Sequence, residues 1–208
     1  VDLTTGQFER VYDSCNGNIL QGPNDLVFDK HGGFWFSDTG KIYDRKSTRG
    51  GIYYASTDGD YIAEDLYPAD YANGIALSPD ERTLYFCETL NGRLWHFDIT
   101  APGVLQEGAA TGDPRNLLYA PGGHQGFDSM ALDCDGNVCQ ATLFTGGISV
   151  ISPHGELIDF YEFPDPLVTN ICFGGDDMCT AYITLSGTGH LVKMRWPRPG
   201  LALNYLNK

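Results

Sequence analysis

Asn24, Asn73, Asp128 and Asn170 open four similar stretches of this chain, at starting points 49, 55 and 42 positions apart. Amide and carboxylate oxygens brought together from separate stretches are what a hard divalent cation such as Ca²⁺ requires, since it takes about six to eight oxygen ligands, side-chain amides and waters among them. Asn and Asp also recur where turns are capped, because their side chains bond their own backbone two residues on. On the residues alone, cation binding and turn capping both stand.

Other polar residues lie close to these four. Asp38 and Glu88 end the second apolar run of their stretches, where Thr142 and Thr184 stand in the other two. There they either supplement a site or sit as solvated strand ends. Asp25 adjoins Asn24, and in an extended chain neighbouring side chains point to opposite faces, so it reads as a backbone-turn acceptor. His124 lies four residues before Asp128 in a glycine-rich loop, where an imidazole can hydrogen-bond a substrate or shuttle a proton, or simply decorate a surface. The remaining histidines, His31, His96, His154 and His190, lack the spacing of a zinc site. No nucleophile elbow, P-loop or dinucleotide fingerprint is present.

The elements that must position these residues are short strands. Residues 24–39, 73–89, 128–143 and 170–185 each read as an apolar run, a turn rich in Asp and Gly, and a second apolar run, the pattern of an antiparallel hairpin. A third strand follows in each copy, opened by Gly51, Gly92, Gly147 and Gly189 and rich in β-branched and aromatic residues. A fourth is read at 61–66 and 157–163. Four-stranded units repeating at such intervals predict an all-β propeller, whose radial packing leaves only short edges and whose innermost strands line a central channel. A β-sandwich is the alternative, but nothing in a sandwich requires its strand quartets to resemble one another. Residues 1–12 read as the end of a third strand, a turn at Gly6 and a fourth strand from Phe8 to Tyr12. The expectation is therefore a single domain over 1–208, holding about four complete blades and part of another, with about one and a half blades missing before Val1.

Composition agrees. With 42% apolar residues, and with 26 Gly and 11 Pro spread along its 208 residues, the chain suits many short strands and excludes disorder. A net charge of −14 disfavours nucleic acid and anionic membranes as partners and favours a cation or a neutral small molecule. Six cysteines without metal-type spacing, most of them in apolar runs, read as buried free thiols. With no glycosylation sequon the cytoplasm is expected, although a missing N-terminus leaves secretion or the periplasm open.

Three motifs, Gly22-Pro23-Asn24-Asp25, Ala72-Asn73-Gly74-Ile75 and Gly126-Phe127-Asp128-Ser129-Met130, resemble those of the senescence marker protein, gluconolactonase and luciferin-regenerating enzyme family, in order and in separation along nearly the whole chain. The resemblance implies a six-bladed propeller that holds one divalent metal on its axis, calcium first and zinc or magnesium as alternatives, and hydrolyses sugar lactones or related esters. It makes Asn73 a metal ligand, Asp128 a metal ligand and catalytic residue, and Asn24 a substrate contact. His124, Asp38 and Asn170 remain secondary candidates. Ser129 stands where relatives commonly carry glycine. The family's glutamate ligand belongs to an early blade that this chain does not include, so little or no turnover is expected of residues 1–208 alone. A non-catalytic binding platform, and an esterase or phosphotriesterase, are the alternative readings.

Overall fold

The computed structural model describes residues 1–206, and within them it is built of β-strands with one short 3₁₀ turn at Pro114–Asn116. Four antiparallel sheets follow one another along the chain. The first blade comprises Pro23–Phe28, Gly33–Asp38, Gly50–Ser56 and Ile62–Ala69, hydrogen-bonded in that order. The second comprises Ala72–Leu77, Thr83–Glu88 and Arg93–Ala101, with Leu117–Tyr119 and Val104–Leu105 pairing to its third strand. Gly126–Leu132, Val138–Leu143, Gly147–Ile151 and Leu157–Glu162 form the third blade; Val168–Gly174, Thr180–Leu185 and His190–Arg195 form the fourth. The inner strands of successive blades pack side by side. This is the propeller-like arrangement that the repeat predicts, with four blades.

Hairpin chemistry explains why each repeat folds as it does. Asp29, buried behind the first inner strand, accepts hydrogen bonds from the backbone N–H groups of His31 (2.8 Å) and Gly33 (3.0 Å) and from the Tyr54 hydroxyl (2.8 Å), so one carboxylate closes the hairpin and pins the third strand to it. Asp133 closes the third blade's hairpin likewise, accepting from the Asn137 N–H (2.9 Å), and ties the C-terminal segment to it through Arg198 Nε (2.6 Å). Buried carboxylates of this kind are tolerated because their lone pairs are met.

Blade-to-blade packing supplies the core. Along Thr83–Glu88, Leu84 and Phe86 face the first blade beside Trp35, Ile75, Trp95 and Phe97, while Tyr85 and Cys87 face the third blade beside Phe127, Met130 and Leu132. Alternation therefore buries both faces of a strand, which is why these strands read as continuous apolar runs. All six cysteines are free; Cys15, Cys87, Cys139 and Cys179 are buried, whereas Cys134 and Cys172 are exposed.

The N-terminal reading needs correction. The turn at Gly6 forms, with Gly6 at φ +70° and its N–H bonded to the Asp2 carbonyl, but Phe8–Tyr12 is not a strand. No described strand lies beside it to complete a ladder, and Leu3 and Phe8 are 97% and 85% exposed. Tyr12 instead anchors this segment by donating its hydroxyl toward the Ser56 and Tyr61 carbonyls at 2.8 and 2.9 Å. At the other end, residues 199–204 cross the underside of the blades. Gly200 bridges to Asp133, and Asn204 Nδ2 donates to the Phe28 carbonyl (3.0 Å) and to Glu81 Oε1 (2.8 Å).

One outer-strand carboxyl is poorly accommodated. Asp65 has a buried oxygen with no partner, and burial pushes its pKa up to about 6. A carboxyl whose folded pKa lies above its unfolded one destabilises the fold progressively as pH rises between the two values. Asp65→Asn should therefore raise the melting temperature at pH 8, by about 1 kcal/mol of stability once solvent screening is allowed for, and give a much smaller gain below pH 4. Thermal melts across that range check it; a difference independent of pH would contradict the assignment.

Candidate metal centre

The inner strands share an irregularity that the sequence does not announce. In the first blade Pro23 faces Asp38 and Leu26 faces Phe36; in the second Ala72 faces Glu88 and Ile75 faces Phe86; in the third Phe127 faces Thr142 and Met130 faces Gln140. Each inner strand spends one residue more than its partner over this interval, which is a β-bulge. Asn24-Asp25, Asn73-Gly74 and Asp128-Ser129 are the residues within the bulges. The three aligned positions thus occupy one structural register, at a feature that re-aims side chains out of strict alternation.

The fourth copy departs from this register. Asn170 pairs directly with Thr184 and Ile171 with Ile183, the irregularity having moved one step earlier, between Val168 and Asn170. Asn170 is therefore the counterpart of Phe127, not of Asp128. Its side chain is exposed, and its Oδ1 accepts from its own neighbour, the Ile171 N–H, at 2.7 Å. This bond to the next residue lies within a strand, so it is neither the two-residue turn cap nor a ligand contact.

Asn73 and Asp128 do come together. Asn73 is buried, its Nδ2 donating to Thr89 Oγ1 at 3.1 Å, and its Oδ1 is a buried oxygen without a hydrogen-bond partner. Asp128 is half-buried; burial raises its carboxyl pKa, a hydrogen bond from the Asn73 side chain pulls it back, and the nearby Asp25 charge raises it again. Asp25 joins them because its bulge defeats the alternation that sequence reasoning relied on. Burial raises its carboxyl pKa, opposed by hydrogen bonds from the Leu26 N–H, the Ser129 side chain and the Ile75 backbone. It is both the local backbone acceptor expected and a member of the cluster, which was not expected. Asn24 shares the register, but its side chain is exposed and lines a recess of about 290 Å³ with Tyr12, Pro23, Phe34 and Phe36.

The flanking carboxylates have other employment. Asp38 is buried and accepts from the N–H groups of Gln21 (2.8 Å), Gly22 (3.1 Å) and Gly40 (2.6 Å). Glu88 accepts from the Asp70 N–H (2.6 Å), Asn91 Nδ2 (2.7 Å) and Trp95 Nε1 (3.0 Å). Both clamp loops, and neither is a solvated strand end. His124 is exposed and stacks on Phe144 with ring centroids 4.4 Å apart and planes inclined by 14°.

Glycine is required at one point of the cluster. A Cβ on Gly74 would lie 2.6 Å from the Asp128 carbonyl oxygen and 2.8 Å from Ser129 Cα, so two inner strands approach to backbone contact there. The donor set around this contact fits a hard cation: a carboxylate pair held at a desolvation cost and an amide oxygen left unpaired in the interior.

Blades packed along their inner strands, with the Asn73 side chain and the Asp25 and Asp128 carboxyls gathered there, define a propeller-like fold with a polar site at its inner edge. The chain belongs to the SMP-30/gluconolactonase/LRE-like family, whose pattern it matches over residues 1–187. It is 33% identical over 150 residues to the lactonase drp35 of Staphylococcus haemolyticus, covering 72% of this chain and 43% of that protein. Against the drp35 lactonase of Staphylococcus aureus it is 36% identical over 135 residues, covering 64% and 39%. The chain thus spans about two fifths of the length of these relatives. Among solved structures, a gluconolactonase from Xanthomonas campestris superposes with a TM-score of 0.71 at 25% identity, covering 89% of this chain and 60% of the other. A calcium-binding regucalcin from Agrobacterium tumefaciens gives 0.70 at 21%, covering 86% and 62%, a likeness of fold.

Gly74→Ala should force the second and third inner strands apart. The expected cost is about 2–3 kcal/mol of stability, read by denaturant unfolding, with a larger shift of the Asp128 resonances than of those in the fourth blade. An alanine tolerated without either change would show that the contact is slack.

Proposed function

We propose that this protein is a divalent-metal-dependent hydrolase of the gluconolactonase type, opening a sugar lactone by attack of water. The unpartnered Asn73 Oδ1, buried beside the Asp128 carboxyl, carries the reading. Membership of the family supports it, as do relatives that are lactonases and a calcium-binding protein of the same fold. Asn73 and Asp128 would hold the cation, with Asp25 and Ser129 beside them. When bound, the cation supplies polarisation of the lactone carbonyl and stabilisation of the developing oxyanion.

The chain's own residues do the rest. In this reading Asp128, beside the cation, steers the attacking water, takes its proton at the carboxylate and returns it to the leaving alkoxide. Asn24 lies in the recess next to the cluster and contacts substrate there, with His124, stacked on Phe144, a secondary candidate for a substrate hydrogen bond. The four blades belong to a six-bladed ring with residues 1–208 in one domain, and a glutamate outside these residues completes the ligand set. The partner is a small neutral lactone. The cytoplasm is the proposed compartment, with the periplasm or secretion as the alternative.

The test is a panel of sugar lactones, aryl esters and phosphotriesters, each assayed with calcium and with chelator, on residues 1–208 and on the natural protein at full length. Lactone opening by the full-length protein, abolished by chelator, is expected. Asp128→Asn should lower it by at least about 10³-fold with the melting curve kept; wild-type turnover by that variant would sink the assignment. A preference for aryl esters or phosphotriesters would replace the substrate class, and binding without any turnover would leave a platform.

A further inference from the structure

Two side chains outside the cluster reach into its backbone, each from the blade before. Cys87, fully buried on the second strand of the second blade, donates its thiol to the Asp128 carbonyl of the third blade at 2.9 Å. Ser37, fully buried on the second strand of the first blade, donates its hydroxyl to the Asn73 carbonyl of the second blade at 2.5 Å. The two occupy the same place in the repeat. Each immediately precedes a loop-clamping carboxylate, Asp38 or Glu88, that pairs with the first residue before the bulge. At the equivalent place in the third blade stands Ala141, which has no donor, and it precedes the blade whose inner strand has lost the shared register.

A bulged residue lacks the ladder partner that would otherwise fix it, so its carbonyl is free to turn unless something else bonds it. Asp128 has two such restraints: the Cys87 thiol across the blade interface, and Gln140 Nε2 at 2.7 Å from within its own blade. Asn73 has the Ser37 hydroxyl. Since Gly74 also presses against the Asp128 carbonyl, the separation of the Asn73 amide and the Asp128 carboxylate is set by these few contacts.

We propose that Cys87 and Ser37 are positioning residues of the metal centre, each holding from the preceding blade the main chain of one ligand residue. The placing of the cation there rests on the functional reading above; the positioning itself does not. Outer partners of metal ligands are commonly worth about 10–100-fold in affinity. Cys139 is the control: an equally buried free thiol on the second strand of the next blade, with its Sγ only at 4.0 Å from the Asn137 carbonyl.

The experiment measures two quantities on the full chain and its variants. One is the Ca²⁺ dissociation constant by titration calorimetry. The other is the ¹⁵N and ¹H shift of the Ser129 amide, which shares its peptide group with the Asp128 carbonyl. Cys87→Ala should weaken Ca²⁺ by about tenfold and displace the Ser129 amide, Cys87→Ser should restore most of both because its hydroxyl still donates, and Cys139→Ala should leave both unchanged. Equal behaviour of Cys87→Ala and Cys139→Ala in the amide shift overturns the proposal. If the parent chain binds no Ca²⁺, the amide shifts alone decide it, and the ligand reading falls separately. Should Cys87→Ala fail to fold, the comparison of Cys87→Ser with the parent decides: a Ser129 amide moved as far as by truncation of Gln140 would overturn it.

Discussion

Backbone contact between neighbouring blades at Gly74 is the constraint on which the rest of the centre depends. A propeller brings its inner strands together, but side chains normally set their spacing. Here a residue without one lets the Asp128 carbonyl come to where a Cβ would lie. The same closeness lets a thiol and a hydroxyl of one blade reach carbonyls of the next. It also aligns the three bulges so that side chains from separate blades share one space. The loop clamps at Asp38 and Glu88 then fix the strand ends just above that space, each with hydrogen bonds to its carboxylate from both sides of a loop.

Electrostatics give this geometry a purpose. Two carboxyls, Asp25 and Asp128, are held where burial disfavours their charge, in a chain already carrying −14. An amide oxygen is buried beside them without a donor. Each feature costs stability when left alone, and each would be relieved by the proposed cation, which would favour the charged forms and accept the orphaned lone pairs. Three other buried carboxylates, Asp29, Asp38 and Asp133, instead accept several N–H or hydroxyl hydrogen bonds each. That contrast sets Asp25 and Asp128 apart from these three structural acids, which residue type does not.

Much of this was legible in the sequence. The repeat gave the strand quartets and their order, since alternating apolar runs closed by Asp and Gly turns have few other folds. Asn73 and Asp128 are singled out because each stands at the same aligned place in its hairpin and within a family motif. What escaped was the register within each inner strand. Asp25 was set aside on alternation, and alternation fails inside a bulge; Asn170 was included on alignment, and the fourth blade moves its irregularity by one residue without altering its composition. Cys87 and Ser37 escaped too, since a single polar residue in an apolar strand carries no sign of what it bonds across an interface. Phe8–Tyr12 looked like a strand by its residues, but pairing is a property of neighbours and not of a segment.

The central claim is that Asn73 and Asp128 face one cation. An anomalous difference map from crystals grown with Mn²⁺ in place of Ca²⁺ tests it most directly. The account requires a peak within about 2.0–2.6 Å of Asn73 Oδ1 and of an Asp128 carboxylate oxygen. A map without a peak there, or with its peak away from both residues, would contradict it.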